Sequence, residues 1–275
     1  MIYPGQLISM ALFAKDENFL VDAWDAEKKK IYKCTECGAK VQLRRSFNRF
    51  PHFYHLVKSP SCRLYSKSNR HLLIQLTIQK QLPPGESILE KPFPSIHRIG
   101  DLVWEPHKII FEVQCSKITE KEALARKTEY GALGYEIVWI LDDRLFNQRQ
   151  LRPAEKFLRS NLSYFVHYER GLFYDQLELF SHQIRIKKSL KKIISLSKIS
   201  KIPQTLPSFP IPKQIKDRYL NNKHYFTHDL IDQANSHQQE HLFLFWKSLE
   251  KKEDKPIYFW KQILSKIKSW MDKAT

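Results

Sequence analysis

Two regular patterns of apolar and polar residues along this chain predict its strands and helices. Residues 99–104 and 109–114 are rich in β-forming side chains and flank a short polar segment with a proline, which predicts a β-hairpin. Residues 72–78 carry leucine and isoleucine on one side of a helix instead. Ser68 can cap that helix, and the Pro-Pro-Gly segment at residues 83–85 ends it.

The neighbouring segments extend this pattern into a small domain. Residues 87–93 are a predicted strand, and Thr119 with Glu122 forms a capping box for a helix that extends to about Leu133. Residues 135–141 are almost continuously apolar, which is typical of a strand covered on both faces. The order helix, three strands, helix, strand predicts an α/β core in which helices flank a small mixed sheet.

Each strand of the predicted hairpin carries one acidic residue among apolar neighbours, Asp101 and Glu112. Opposite positions of paired strands lie ~5 Å apart, so these carboxylates are expected to be close together. Two such carboxylates repel each other unless a cation lies between them, and Mg²⁺ takes oxygen ligands of this kind. The alternative is a pair of edge carboxylates that face water, and the hairpin alone favours neither interpretation.

A second group of metal-ligating residues lies nearer the N-terminus. Cys34 and Cys37 are two residues apart, and His52, His55 and Cys62 follow them. Tetrahedral zinc takes four nitrogen or sulfur ligands, so this spacing predicts a zinc site of Cys34, Cys37, His55 and Cys62. His52 is a rival for His55, because their rings point to different faces of an extended segment. The alternative is three reduced structural cysteines beside two incidental histidines.

The charge of the chain indicates a polyanionic partner. The 275 residues include 46 Lys and Arg against 29 Asp and Glu, a formal net charge of +17. Such a field attracts nucleic acid, which is favoured here over a membrane surface or solubility alone. Residues 184–201 are basic and helix-like. Their clustered lysines, the candidate DNA contacts of this region, are Lys187, Lys188, Lys191 and Lys192.

The C-terminal part carries weaker signals. Four prolines between residues 203 and 212 predict an extended linker. Two aromatic segments beyond it, residues 242–246 and 257–260, are predicted helices with lysines nearby. Aromatic rings beside lysine can stack on single-stranded bases. A core or a protein-contact face is the favoured interpretation of these segments.

Length and cysteine usage bound the class of protein. The chain has room for roughly two domains, and no apolar run approaches the ~20 residues that a membrane-spanning helix needs. Residues 1–15 lack the basic start and the cleavage site of a signal peptide. Three of the four cysteines lie in one short segment beside histidines, which favours metal binding over disulfides. These features predict a cytoplasmic protein.

The order of elements, with an acid on the second strand and Glu112-Val113-Gln114 on the third, resembles the PD-(D/E)XK nucleases. Together with the cysteine and histidine segment and with His71 on the first helix, the chain is similar to the CoiA-like competence protein family over residues 7–141. The residues that add to this resemblance downstream are Arg126, Tyr130 and Trp139.

The resemblance implies three regions and a fold. A β-rich zinc-binding domain spans residues 1–66, a PD-(D/E)XK nuclease-like domain residues 67–155, and a basic, mostly helical region residues 156–275. The family acts in DNA uptake and recombination during natural transformation. The implied partners are therefore DNA, single strands above all, and recombination or DNA-uptake proteins.

The resemblance also implies a metal-dependent nuclease site. Asp101 and Glu112, with the carbonyl of Val113, are expected to hold Mg²⁺ or Mn²⁺ against the scissile phosphate, and Gln114 to orient the attacking water. His71 or Gln75 is expected to position the phosphate. Arg126 braces the phosphate and contacts the nucleic acid.

Two departures from the nuclease pattern keep other functions open. The first helix offers no acid in residues 67–71, and Gln114 stands where lysine is commonest, so it cannot stabilise phosphorane charge. The first rival is a catalytically inactive scaffold that binds single-stranded DNA and recruits recombination proteins. The second is an RNA-binding zinc protein.

Overall fold

The computed structural model describes residues 11–235, apart from residues 18, 48, 58, 60, 61, 63, 65, 66, 182, 183 and 208–210. Within this part, an N-terminal β-sheet precedes a larger α/β/α unit. The aromatic segments at residues 242–246 and 257–260 lie outside the described residues. No helix in the described part is long and apolar enough to cross a membrane.

The N-terminal sheet is antiparallel, with strand order β2-β1-β3-β4-β5. Ala11 exchanges two backbone hydrogen bonds with Phe53 of β5, so the start of the chain pairs with the far edge of the sheet. Its small core includes Tyr32 and Leu43. The strands are β1 Phe13–Asp16, β2 Phe19–Asp22, β3 Ile31–Cys34, β4 Lys40–Ser46 and β5 Arg49–His55.

The larger unit is built on a seven-stranded mixed sheet with strand order β14-β11-β10-β9-β8-β7-β6. Strands β8, β9 and β10 are parallel, and the pairs β6–β7, β7–β8, β10–β11 and β11–β14 are antiparallel. Its elements up to β11 are α1 Asn69–Gln81, β6 Ser87–Phe93, β7 Arg98–Trp104, β8 Ile109–Gln114, α2 Glu120–Ala132, β9 Glu136–Asp142, α3 Asp143–Phe146, α4 Glu155–Arg159, β10 Ser163–His167 and β11 Leu172–Asp175.

The remaining elements follow β11 and include two small two-stranded sheets, β12–β13 and β15–β16. They are β12 Glu178–Ser181, β13 Ile184–Lys188, β14 Lys192–Ile193, β15 Ile199–Lys201, α5 Lys213–Asn221, β16 His224–Phe226 and α6 Leu230–Asn235.

Alternating side chains of the central strands divide the core into two layers. Phe111 of β8 and Ile140 of β9 pack under α1, α5 and α6, whereas Ile110 and Trp139 pack under α2, α3 and α4. Both faces of these parallel strands are therefore covered, which explains why the sequence of β9 is apolar throughout. The mixed α/β class, with a β-rich N-terminal region, is confirmed.

Both predicted helix caps are present. The Ser68 hydroxyl accepts a hydrogen bond from the His71 amide at the start of α1 (3.2 Å), and the Thr119 hydroxyl accepts one from the Glu122 amide at the start of α2 (3.1 Å). These caps satisfy amides that the first turn of a helix leaves without partners. They fix where α1 and α2 begin, and both starts lie beside the predicted nuclease site.

The prediction of a mostly helical C-terminal region is wrong for the described residues. Residues 184–201, which contain the four clustered lysines, form β13, β14 and β15 instead of a helix. Arg185 lies in β13, where its buried guanidinium contacts Glu178 of β12. A tertiary ion pair and strand pairing thus override the local helix propensity of the lysines. The sheet extends beyond residue 155, and the three-domain division stays a prediction.

Candidate functional site

The cysteine cluster lies where the strands of the N-terminal sheet end. Cys34 is the last residue of β3 and His55 the last of β5, while Cys37 lies in the turn after β3. The Sγ atoms of Cys34 and Cys62 are 3.7 Å apart, and Cys37 Sγ is 3.2 Å from His55 Nε2. Four ligand atoms around tetrahedral zinc are separated by ~3.8 Å when Zn–S is ~2.3 Å, so this donor set fits zinc.

The same geometry decides between the two histidines. The ligand atoms of Cys34, Cys37, His55 and Cys62 all lie within 4.8 Å of one another, and His52 is not in this group. His52 is fully buried, with Nδ1 2.7 Å from the carbonyl oxygen of Phe50. Alternation along β5 separates the two rings. A hydrogen bond from the Cys62 thiol lowers the pKa of Cys34 to about 5, which favours the thiolate that a metal binds.

The predicted nuclease site lies at a cavity of about 240 Å³ between the start of α1, the ends of β7 and β8, and α2. Most of its lining is polar or charged, in contrast with the apolar layers on either side. Its polar lining residues include Lys67, His71, Asp101, Gln114 and Arg126.

Asp101 and Glu112 lie where the β7–β8 ladder opens. They are one position beyond the last pair of that ladder, Leu102 with Phe111. At this point the Val113 amide donates to Oδ2 of Asp101 (2.9 Å), and the Gln75 side chain donates to the Asp101 carbonyl (2.9 Å). Side chains thus replace backbone pairing and leave a gap between the strands.

Gln75 therefore has a different position from the predicted one. Its side chain is fully buried on the α1 side of the sheet, where it bonds to backbone, and it does not line the cavity. His71 does line the cavity, and its Nε2 is 3.0 Å from Oδ1 of Asp101. Of the two rivals for a contact with phosphate, the structure places His71 at the cavity.

The two carboxylates differ in environment. Glu112 is only 1% exposed, does not line the cavity itself, and has one oxygen 2.5 Å from Arg126 Nη1. Its other oxygen, Oε1, has no hydrogen-bond partner among the described residues. Burial raises the pKa of Glu112 to about 7, with the Arg126 charge opposing this shift. Glu112 thus loses its proton near neutral pH, and the neighbouring Tyr130 hydroxyl favours the ionised form.

Asp101 is surrounded by positive charge. Lys67 Nζ lies 2.8 Å from Oδ1, the same oxygen that His71 approaches. Burial would raise the pKa of Asp101, but the charges of His71 and Lys67 hold it well below its ordinary value. Asp101 is therefore ionised at all ordinary pH values. Both oxygens of Asp101 have protein partners, since Oδ2 accepts from the Val113 amide, whereas Oε1 of Glu112 has no hydrogen bond among the described residues. Carboxylate oxygens are the ligands that Mg²⁺ takes.

Two buried charged residues beside the site were not predicted. Lys67 bridges Asp101 and Glu90, whose Oε1 is 3.2 Å away. Glu90 has a positive φ of 48° and is unpaired in the β6–β7 ladder, whose register is the same on both sides of it. Its side chain also reaches the Leu12 amide (3.2 Å). A charged residue in a largely apolar strand, as Glu90 is, was the sequence signal that could have indicated this buried ion pair.

The predicted nucleic-acid lysines lie away from the cavity. Lys188 Nζ donates to the Asn147 carbonyl (3.0 Å), and Lys191 lies 4.3 Å from the centre of the Tyr174 ring. Lys192 is exposed on β14, and Lys187 belongs to β13. Among the described side chains of this group, those of Lys188, Lys191 and Lys192 do not line the cavity, whereas Arg126 does. Their role in binding DNA stays a prediction.

Comparison with known proteins gives one match. A family model described as "Competence protein CoiA, nuclease-like domain" matches residues 67–217. This match begins at Lys67, two residues before α1, and covers the whole seven-stranded sheet. No curated protein and no solved structure matches the chain.

Proposed function

Because this chain belongs to the CoiA competence protein family, with a nuclease-like domain over residues 67–217, we propose that it is a metal-dependent DNA-processing protein that acts on incoming DNA in natural transformation and recombination. The observation that supports this most is the buried Asp101 at a polar cavity, with Glu112 near enough for the charge of Asp101 to raise its pKa. The net charge of +17 suits a polyanionic substrate, single-stranded DNA above all.

In the proposed reaction, water hydrolyses a phosphodiester. The water oxygen bonds to phosphorus, the bond from phosphorus to one sugar oxygen breaks, and that oxygen gains a proton. Asp101, the unpartnered oxygen of Glu112 and the carbonyl of Val113 would hold Mg²⁺ or Mn²⁺. A bound divalent cation lowers the pKa of water and offsets charge on the phosphate oxygens.

The other residues of the cavity have positioning roles in this proposal. The Gln114 amide lies beside the acids and orients the attacking water through hydrogen bonds. His71 contacts Asp101 at 3.0 Å and lies where a phosphate oxygen would enter. Arg126 holds one oxygen of Glu112, so that the other oxygen stays free.

The direct test is cleavage of single- and double-stranded DNA with Mg²⁺ or Mn²⁺. Wild type is expected to cleave only with metal, and Asp101→Asn and Glu112→Gln are each expected to lower the rate at least ~100-fold, as loss of a transition-state contact does. Asp16→Asn is a matched control, because Asp16 is paired with Lys30 on the N-terminal sheet, outside the cavity. Equal cleavage by wild type and Asp101→Asn would exclude the proposal.

One observation favours a second candidate, a nuclease-like fold that binds single-stranded DNA without cutting it and recruits recombination proteins. Each acid already has a cationic partner, Lys67 for Asp101 and Arg126 for Glu112, so the charges balance without a metal ion. Under this candidate, wild type binds single strands tightly but leaves them intact at every metal concentration. Cleavage that requires Mg²⁺ or Mn²⁺ excludes it.

A further inference from the structure

Lys67 is a buried lysine whose ammonium is fixed at the wall of the cavity. Its side chain is 9% exposed, and Nζ lies 2.8 Å from Asp101 and 3.2 Å from Glu90. Lysine loses considerable rotamer entropy on burial, so two carboxylates are needed to hold it in one place. The position of the ammonium beside Asp101 is thus determined by the fold.

The anchor of Lys67 is itself held by the N-terminal sheet. Glu90 uses one oxygen for Lys67 and the other for the amide of Leu12. On the other side, Leu64 belongs to the core of the N-terminal sheet and also lines the cavity. The segment that carries Lys67 therefore connects the cysteine cluster to the cavity, with Cys62 only five positions earlier.

The ammonium keeps one donor for a ligand. A lysine side chain has three N–H donors, and Asp101 and Glu90 account for two. The two carboxylates that contact this ammonium offset the cost of burying its charge. Arg98, a neighbouring cation of the cavity, is held by Glu122 and Glu129 instead.

This placement complements the neutral Gln114. An oxyanion that gains charge in the transition state needs a positive group or a hydrogen-bond donor in a site with little water. Gln114 and Lys67 line the same cavity, but only Lys67 carries charge. Its compact ammonium suits a phosphate oxygen.

We propose that Lys67 is a catalytic residue of this cavity, whose ammonium binds a non-bridging oxygen of the DNA phosphate beside Asp101. The catalytic part rests on the proposed function, whereas the phosphate contact does not. Lys67 takes no part in bond making: it stabilises the charge that builds up on the phosphate oxygen while water attacks.

The first arm of the test is cleavage. Lys67→Met is expected to lower the metal-dependent rate at least ~100-fold, Lys67→Arg to retain more activity because it keeps the charge, and Lys67→Met with Gln114→Lys to recover part of the loss. Lys91→Met is the matched control, since Lys91 contacts Glu105 and Tyr135 outside the cavity. Cleavage by Lys67→Met at the wild-type rate overturns the catalytic role.

The second arm measures binding of a single-stranded oligonucleotide over a range of salt concentrations without divalent metal. Loss of one phosphate contact reduces the slope of log affinity against log salt by ~0.7, which is expected for Lys67→Met but not for Lys91→Met. An unchanged slope overturns the phosphate contact. If wild type does not cleave but the slope still falls, the nuclease proposal fails and the contact stands.

A third variant guards against misfolding. Lys67→Met alone leaves Asp101 and Glu90 with an unpaired buried charge, so it is compared with Lys67→Met combined with Glu90→Gln, which removes one of these charges. Thermal unfolding selects the variant that remains folded, and that variant is used in both arms. A folded double variant with wild-type cleavage and salt slope overturns the inference completely.

Discussion

At the scale of single residues, Arg126 is the charge that most favours the ionised form of Glu112 against the effect of burial. The carboxylate is almost completely buried, and Arg126 is 2.5 Å from one of its oxygens. A buried ion pair contributes little net stability, but the loss of one partner leaves an uncompensated charge that costs several kcal/mol. Although its own side chain is partly exposed, Arg126 therefore has a large effect on the stability of the site.

We expect Arg126→Met to lower the free energy of unfolding by about 3 kcal/mol at pH 8. The loss should shrink as the pH falls below about 7, the raised pKa of Glu112, because a protonated Glu112 no longer needs a cation. Urea denaturation at pH 5.5 and pH 8 measures both values. Arg144→Met is the control, since Arg144 is exposed and 4.0 Å from Asp142; equal losses at the two pH values would contradict the prediction.

Asp229 gives a second pH-dependent prediction. Burial and the charge of Asp175 raise its pKa to about 6, so its contribution to stability is complete below pH ~4 and is lost as the pH rises through 6. We expect the free energy of unfolding of Asp229→Asn to rise by about 1 to 3 kcal/mol relative to that of wild type as the pH increases from 4 to 7. Thermal or urea unfolding across this range measures the difference, and a pH-independent difference would refute it.

Local spacing predicted part of the site and missed the rest for a physical reason. The choice of His55 follows from alternation along a strand. The opposition of Asp101 and Glu112 stays a prediction, because the observed ladder ends one position earlier, at Leu102 with Phe111. Glu90 was missed because it adopts a positive φ and is unpaired in the ladder of β6 with β7, which strand periodicity does not predict. Its contact with Leu12 is tertiary, so no local pattern contains it.

At the scale of elements, α1 holds the gap in the sheet open. Gln75 of α1 is the donor for the Asp101 carbonyl, at the point where β8 no longer pairs with β7. A buried backbone carbonyl without a donor costs about 1 to 3 kcal/mol. The packing of a helix and the opening of a hairpin are thus one feature of the site.

We expect Gln75→Met, which keeps the shape of the side chain but removes the donor, to lower the free energy of unfolding by about 1 to 3 kcal/mol. Hydrogen exchange at the Val113 amide should become faster, because its acceptor Asp101 loses support. Lys80→Met on the exposed side of α1 is the control. Unchanged exchange at Val113 would contradict this role of Gln75.

Elements with strong patterns were predictable, and elements that depend on partners were not. α1, α2 and the β7–β8 hairpin form as their caps and periods predicted. The basic segment from residue 184 forms strands because β12 and β11 pair with it and because Arg185 is buried against Glu155 and Glu178. Lysine-rich sequence alone carries no information about such partners.

At the scale of the whole molecule, the cysteine cluster and the cavity are linked. Cys62 belongs to the cluster, Leu64 to both the N-terminal core and the cavity wall, and Lys67 to the cavity itself. The N-terminal sheet is small, and metal binding adds folding free energy to such regions. Its folding should therefore depend on the metal.

We expect the purified protein to contain about one zinc ion per chain, and Cys34→Ser to contain almost none. Elemental mass spectrometry of the purified protein measures the zinc content. Hydrogen exchange in residues 11–56 should increase in the variant before exchange in α2 or β9 does. Cys115 lies outside the cluster, so the Cys115→Ser variant should keep its zinc. Equal zinc content in wild type and Cys34→Ser would rule out the site.

The position of β6 has a consequence for behaviour in concentrated solution. This strand is the last of the seven-stranded sheet, and the unpaired backbone groups of such an edge strand can pair with strands of other molecules. Pro92 lacks the amide that a strand from another molecule would need, and Glu90 next to Lys91 adopts a positive φ that a regular strand does not have. We therefore expect replacement of Pro92 by valine to promote aggregation.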